Sequence, residues 1–322
     1  MADARAFWIC EPGRGEIRDV TLPPLGAGDV RVRTCYTAIS RGTEALVFEG
    51  RVPPSERERM RAPFQEGTFP GPLKYGYINV GVVEDGPADL RGRAVFSLYP
   101  HQTRFVVPAT AVRPLPDGLP VERAVLAANM ETALNGLWDA APAAGDRVAV
   151  IGAGAVGCLV ARLMRGIPGV SCTLADINPS RAAVAEAMGV GFAHPDHLRR
   201  EATLVVHTSG SPDGLVRALD IAVPESTVVE MSWFGDRVVS LPLGGAFHAG
   251  RLTLKSSQVG MIPPSRRAQW TYASRLQLAL ELLRDDALDV LVTGEDAFEA
   301  LPAVMPRVAA DGSGTICHRI RY

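Results

Sequence analysis

The stretch VAVIGAGAVG, Val148 to Gly157, constrains this chain more than any other. A short apolar run enters a G-x-G-x-x-G turn, and an acidic residue, Asp176, follows 19 positions after the last glycine. Strand, turn, helix and acid in that order are the setting in which such glycines form a dinucleotide-binding βαβ unit. Gly152 permits the tight turn out of the strand, Gly154 lets backbone approach a pyrophosphate, and Gly157 allows close helix-to-strand packing. Ala155 and Val156 open the helix, whose free N–H groups point toward phosphate. The competing reading is a glycine-rich turn that binds nothing.

The acidic residue selects the cofactor. Asp176 closes a second apolar run, VSCTLAD, and so belongs at the tip of the next strand. There a carboxylate accepts hydrogen bonds from the ribose hydroxyls and repels a 2′-phosphate, which favours NAD over NADP. Ile177 and Arg181 complete that edge. Arginine binds phosphate well, but with Asp176 in place we read Arg181 as a ribose-edge contact.

A length of 322 residues suggests about two domains. The chain is 47% hydrophobic and 21% charged, an ordinary globular composition, and its net charge of -2 argues against nucleic acid as a partner. Met1 to Cys10 lacks the cationic and apolar segments of a signal peptide. No uninterrupted apolar run reaches the ~18 residues needed to span a bilayer, so neither a membrane nor a secreted setting is expected, and a cytoplasmic one is. Five scattered cysteines without C-x-x-C spacing indicate neither a disulfide framework nor a structural zinc site. The polar, proline-rich segment 51–72 reads as a long excursion over a substrate cleft or at a subunit contact.

The fold class is α/β with two regimes. Before residue 130, short runs such as ARAFWIC, DVRVRTCYTAI, INVGVVEDG, RAVFSLY and TRFVVPA predict a rolled or barrel-like β-rich domain. From about 130 helix and strand alternate, as in parallel βαβ units. SRRAQWTYASRLQLALELLRD predicts one long helix, and the alternating tail GTICHRIRY returns to the first sheet. Expected boundaries are 1–129 for the N-terminal part of the catalytic domain, 130–259 for the Rossmann domain and 260–322 for the return. The cleft between the two domains is where a substrate should meet the nicotinamide.

This order of pieces resembles the medium-chain dehydrogenase/reductase superfamily over nearly the whole chain, and YGYINVGVVEDG resembles its GHExxGxVxxxG turn. The resemblance implies a GroES-like catalytic domain with an inserted Rossmann domain, hydride transfer with a nicotinamide cofactor, and a homodimer. The departures concern zinc. AISRGTE places Ser40 where zinc-dependent members carry a cysteine, Tyr77 and Ile78 replace the His-Glu pair, and the third ligand position falls on Ala128. No thiolate or imidazole remains for a catalytic ion, and the four-cysteine lobe of the structural zinc is missing. We therefore expect no zinc. The segments SRGTE and GY at 76–77 are similar, more loosely, to the zinc-lacking branch near the bacteriochlorophyllide hydroxyethyl dehydrogenases, without implying a pigment substrate.

Without an electrophilic ion, hydrogen-bond donors must steady a developing oxyanion. Tyr77 is the first candidate, with a ring packed in a turn as the competing reading. Ser40 completes a donor pair or merely forms a turn, and Thr43 extends the relay. His101, in a loop expected to face the cleft, has an ordinary pKa of about 6.5 suited to proton shuttling; a commonplace surface histidine is the alternative. Glu131 and Asn135 share a helical face and either orient ligand or bond between domains. Ser209, Ser232 and Ser257 fall at strand C-terminal ends and are expected cofactor contacts, while Trp233 and Phe234 wall a substrate pocket or fill the core. The expected function is zinc-independent oxidoreduction between NAD(H) and a secondary alcohol or ketone of a small or biosynthetic metabolite. An enoyl or quinone reductase on the same scaffold, and a non-catalytic NAD-binding protein, compete with it.

Overall fold

The computed structural model describes residues 3–310, 312 and 314–322. Two compact units emerge, the first built from Met1–Ala128, Leu280–Arg284 and Val292–Tyr322, the second from Asn129–Ala279 and Asp285–Leu291. Residues 260–279, expected in the return, thus stay with the second unit. The reason is Arg275, whose fully buried guanidinium binds Glu131 (3.1 Å), the Asn135 side-chain oxygen (2.5 Å) and the Val259 carbonyl (2.7 Å). These bonds hold Glu131 and Asn135 within their own unit.

In the first unit, the strand Asp29–Ile39 is the organising element. It pairs antiparallel with Asn79–Asp85, with Arg104–Pro108 and, through residues 36–39, with the tail strand Cys317–Arg321. Its inward valines Val30 and Val32 are fully buried with Phe105, Val83, Val95 and Val107, and Tyr99 stacks on Phe105 at 4.0 Å. Valine and aromatic residues suit such a pleated, half-buried surface. The tail therefore returns to this sheet as its alternation predicts. A partner not evident from the sequence, Val292–Ala297, runs parallel to it.

A second, four-stranded sheet joins Arg14–Val20, Ala4–Glu11, Leu73–Lys74 and Glu66–Gly67. The excursion 51–72 is thereby tied back into the sheet. Fully buried Lys74 anchors it, reaching Glu66 at 2.5 Å and Gln102 at 2.7 Å.

The second unit is a six-stranded parallel sheet. Its spatial order is third, second, first, fourth, fifth, sixth: Gly191–Ala193, Ser171–Ala175, Arg147–Ile151, Ala202–His207, Ala222–Glu230 and Thr253–Ser256. The order reverses between Arg147–Ile151 and Ala202–His207, and open α/β sheets take their ligands in the crevice at such a reversal.

The long helix predicted from residue 265 begins instead at Tyr272 and ends at Leu282. Reciprocal bonds stop it: Thr271 N–H donates to Ser274 Oγ at 2.9 Å and Ser274 N–H to Thr271 Oγ1 at 3.1 Å, a capping arrangement. Trp270, left outside the helix, packs against Trp138 at 4.9 Å. Among the described residues no helix is long and apolar enough to cross a membrane.

Arg275→Met removes one partner of a buried ion pair, and such losses cost about 3 kcal/mol or more. Chemical denaturation should show a destabilisation of that size. A change below about 1 kcal/mol contradicts this account of how residues 260–279 are held.

Candidate functional site

Two groups of polar residues stand out, one in each unit. In the first, Ser40, for which a turn was the competing reading, precedes the helix Arg41–Phe48. Its hydroxyl makes no bond to the helix end and accepts one from the Tyr77 phenol at 2.7 Å. Capping falls instead to buried Glu44, whose Oε1 receives the Ser40 N–H at 2.8 Å. Thr43, one residue earlier, lies near enough to Tyr77 to pull its phenol down. Ser40, Thr43 and Tyr77 are thus brought together.

His101 is a correction. Expected in a loop facing the cleft, it is 1% exposed. Its backbone carbonyl accepts the Phe7 N–H at 2.9 Å, which draws the loop onto the sheet, and Phe7 meets its ring edge-on at 6.4 Å. Gly76 makes room for it, because a Cβ there would lie 3.1 Å from His101 Cδ2 and the backbone sits at φ +125°. Nε2 lies 3.0 Å from Glu44 Oε2 and Nδ1 lies 2.7 Å from Thr37 Oγ1, which in turn lies 3.2 Å from the Tyr322 hydroxyl. Glu44, Thr37 and Tyr322 were not singled out from the sequence; only the S-x-x-x-E spacing of 40–44 hints at them.

Withdrawal from water, first, and the Glu44 carboxylate, second, push the Tyr77 phenol up to about 12, while Ser40 and Thr43 pull it down. At neutral pH Tyr77 is a protonated donor.

The second group surrounds the glycine turn. Gly152 (φ +106°) faces Ser209, whose backbone a Cβ would meet at 2.7 Å, and a Cβ on Gly157 would lie 1.9 Å from the Gly152 carbonyl. Nothing lies within 4 Å of the Cβ position at Gly154, so space is open where the helix Ala155–Arg165 begins. Val156 lies in the first turn of that helix, after Ala155. Asp176 Oδ2 accepts the Ala153 N–H at 2.7 Å and Oδ1 the Asn178 N–H at 2.8 Å. Each oxygen keeps acceptor capacity for a hydroxyl.

Ile177 is 77% exposed beside it, whereas Arg181 is buried and lies near enough to Cys158 to pull that thiol down against desolvation. Ser257 donates to Asp139 Oδ2 at 2.8 Å, Ser232 Oγ accepts the Gly210 N–H at 3.0 Å, and Ser209 Oγ lies 2.6 Å from His207 Nε2. Phe234 stacks along His207 at 6.3 Å and packs on the core, so it lines the sheet end. His207 and Glu230, 2.6 Å apart, went unremarked in the sequence.

No protein-family model matches the chain. Its fold is similar to that of 2R,3R-butanediol dehydrogenase from Bacillus subtilis, with a TM-score of 0.78 at 16% identity over 99% of this chain and 100% of that one. Galactitol-1-phosphate dehydrogenase from Escherichia coli gives 0.77 at 17% over 99% and 100%. A short-chain alcohol dehydrogenase of Escherichia coli complexed with NADH gives 0.76 at 16% over 99% of each chain. These likenesses show the fold, a β-rich GroES-like unit with a Rossmann unit.

A phenol raised on folding contributes stability that is full below its unfolded value of about 10 and is lost as pH climbs through about 12. Subtracting the phenolate absorbance titration of Tyr77→Phe from that of the parent chain should isolate one group ionising near 12. Ionisation near the ordinary value of about 10 would mean that Tyr77 is freely hydrated.

Proposed function

We propose that the chain is a zinc-independent, NAD-linked oxidoreductase of the medium-chain type, interconverting a secondary alcohol and ketone of a small or biosynthetic metabolite. One observation carries the reading. A hydroxyl pair, Tyr77 on Ser40 at 2.7 Å, stands at the two positions that the sequence resemblance matches to metal ligands of zinc enzymes.

The residues do not fit a zinc ion. Ser40, Tyr77 and Ala128 offer neither thiolate nor imidazole, and among the described residues no three His, Cys, Asp or Glu side chains converge as a metal site. The dinucleotide does fit. Gly152, Gly154 and Gly157 keep a turn free of side chains, the helix starting at Ala155 presents unpaired N–H groups, and Asp176 keeps lone pairs for ribose hydroxyls. When bound, the nicotinamide exchanges a hydride with the substrate carbon.

This chain's own task is the proton. Tyr77 donates to Ser40 Oγ and leaves the serine proton free for a substrate oxygen. Thr43 supports the phenol from the side. A positioned donor of this kind contributes typically ~10²- to 10⁴-fold. His101, buried behind Glu44, acts on the pair only through the helix start and not by touching substrate. A homodimer belongs to the same reading.

NADH should bind about tenfold or more tighter than NADPH, because Asp176 faces the 2′ position. With a panel of ketones, Tyr77→Phe should lower kcat by ~10²-fold or more while leaving NADH affinity unchanged. Metal analysis near one zinc per chain, or full turnover by the variant, overturns the proposal. Turnover of activated alkenes alone selects the enoyl or quinone reductase reading, and NADH binding without any turnover selects the non-catalytic one.

A further inference from the structure

His207, the last residue of the strand Ala202–His207, is fully buried, yet polar partners engage both of its ring nitrogens. Nδ1 lies 2.6 Å from Glu230 Oε2, with Ser232 Oγ at 3.4 Å, and Nε2 lies 2.6 Å from Ser209 Oγ. Parallel pairing sets His207 beside Ile151 on one side and Glu230 on the other. The group therefore sits where the strand order reverses, against the glycine turn.

The partners determine where the protons lie. Ser232 N–H donates to Glu230 Oε1 at 2.6 Å. When the other oxygen takes the proton of Nδ1, Nε2 is left as an acceptor. Ser209 must give its single hydroxyl proton to Nε2, while the Ser211 N–H, at 3.1 Å, fills one of its two lone pairs. One lone pair remains, on an exposed residue. Space is reserved for the arrangement, because a Cβ on Gly214 would lie 2.5 Å from Ser209 Oγ and 2.8 Å from His207 Nε2.

We infer that Glu230 and His207 turn Ser209 into an acceptor-only group that binds a sugar hydroxyl of the dinucleotide and disfavours a phosphate oxygen at the same point. The inference rests on the cofactor reading above and assigns Glu230 and His207 as positioning residues. Glu230→Gln tests it sharply. An amide there donates to Nδ1 and moves the ring proton to Nε2, so Ser209 becomes a donor and a phosphate oxygen is no longer disfavoured beside it.

Two measurements on the full chain decide the matter. Nitrogen-15 spectra, with the His207 signal assigned by its loss in His207→Gln, should show Nδ1 protonated and Nε2 bare; the opposite tautomer overturns the inference. Ser209→Ala should weaken NADH binding by roughly three- to tenfold, and Glu230→Gln should narrow the preference for NADH over NADPH by a similar factor. The double variant should not show that narrowing beyond Ser209→Ala alone, since no hydroxyl is left to change roles. A narrowing that adds to the Ser209→Ala effect, or unchanged affinity and preference in a chain that binds NADH, removes this inference alone. A parent chain that does not bind NADH removes the cofactor reading and, with it, the ligand named here.

Discussion

Parallel register at the carboxyl edge of the second sheet is the constraint on which the rest depends. Ile151 stands beside Ala175 and His207, and His207 beside Glu230. The next residue of each strand then falls in the same row, so a turn glycine, Asp176, Thr208 and Met231 line up although they come from four separate stretches of sequence. The backbone reinforces the row, since Gly152 N–H donates to the Ala175 carbonyl at 2.8 Å and Thr208 N–H to the Ile151 carbonyl at 2.8 Å. A slip of one residue would send every side chain to the other face, and the carboxylate would leave the glycine turn.

The first unit solves a different problem, that of keeping a carboxyl group in its interior. A buried carboxylate is tolerated only when its lone pairs are filled. Glu44 divides its oxygens between the Ser40 N–H and His101. His101 passes its second nitrogen to Thr37, and Thr37 meets Tyr322. Tyr322 is fixed by stacking on Phe298 at 4.6 Å, and burial pushes its phenol upward, so it remains a neutral hydrogen-bonding group. Every member has a partner, and such networks hold a unique geometry better than a loosely packed apolar core does.

Legibility in the sequence followed distance along the chain. The glycine turn and Asp176 were readable because their contacts lie within one βαβ unit. The Tyr77 and Ser40 positions emerged from resemblance to a known turn rather than from local pattern. His207 and Glu230, 23 residues apart in sequence, meet only through strand register, which hydrophobic alternation alone does not specify. Burial of His101 depends on one backbone bond from Phe7 and on the missing side chain of Gly76. The helix start at Tyr272 depended on Thr271 and Ser274, a cap hidden inside an otherwise helical run.

That the Ser40 hydroxyl caps no helix end has an evolutionary corollary. Since the serine spends its side chain on a phenol, one glutamate both starts the following helix and hydrogen-bonds a histidine, and these duties cannot drift apart. A lineage exchanging Glu44 would have to repair a helix end and an interior imidazole in the same step. Change in this unit is therefore easier at Tyr77, which carries neither duty.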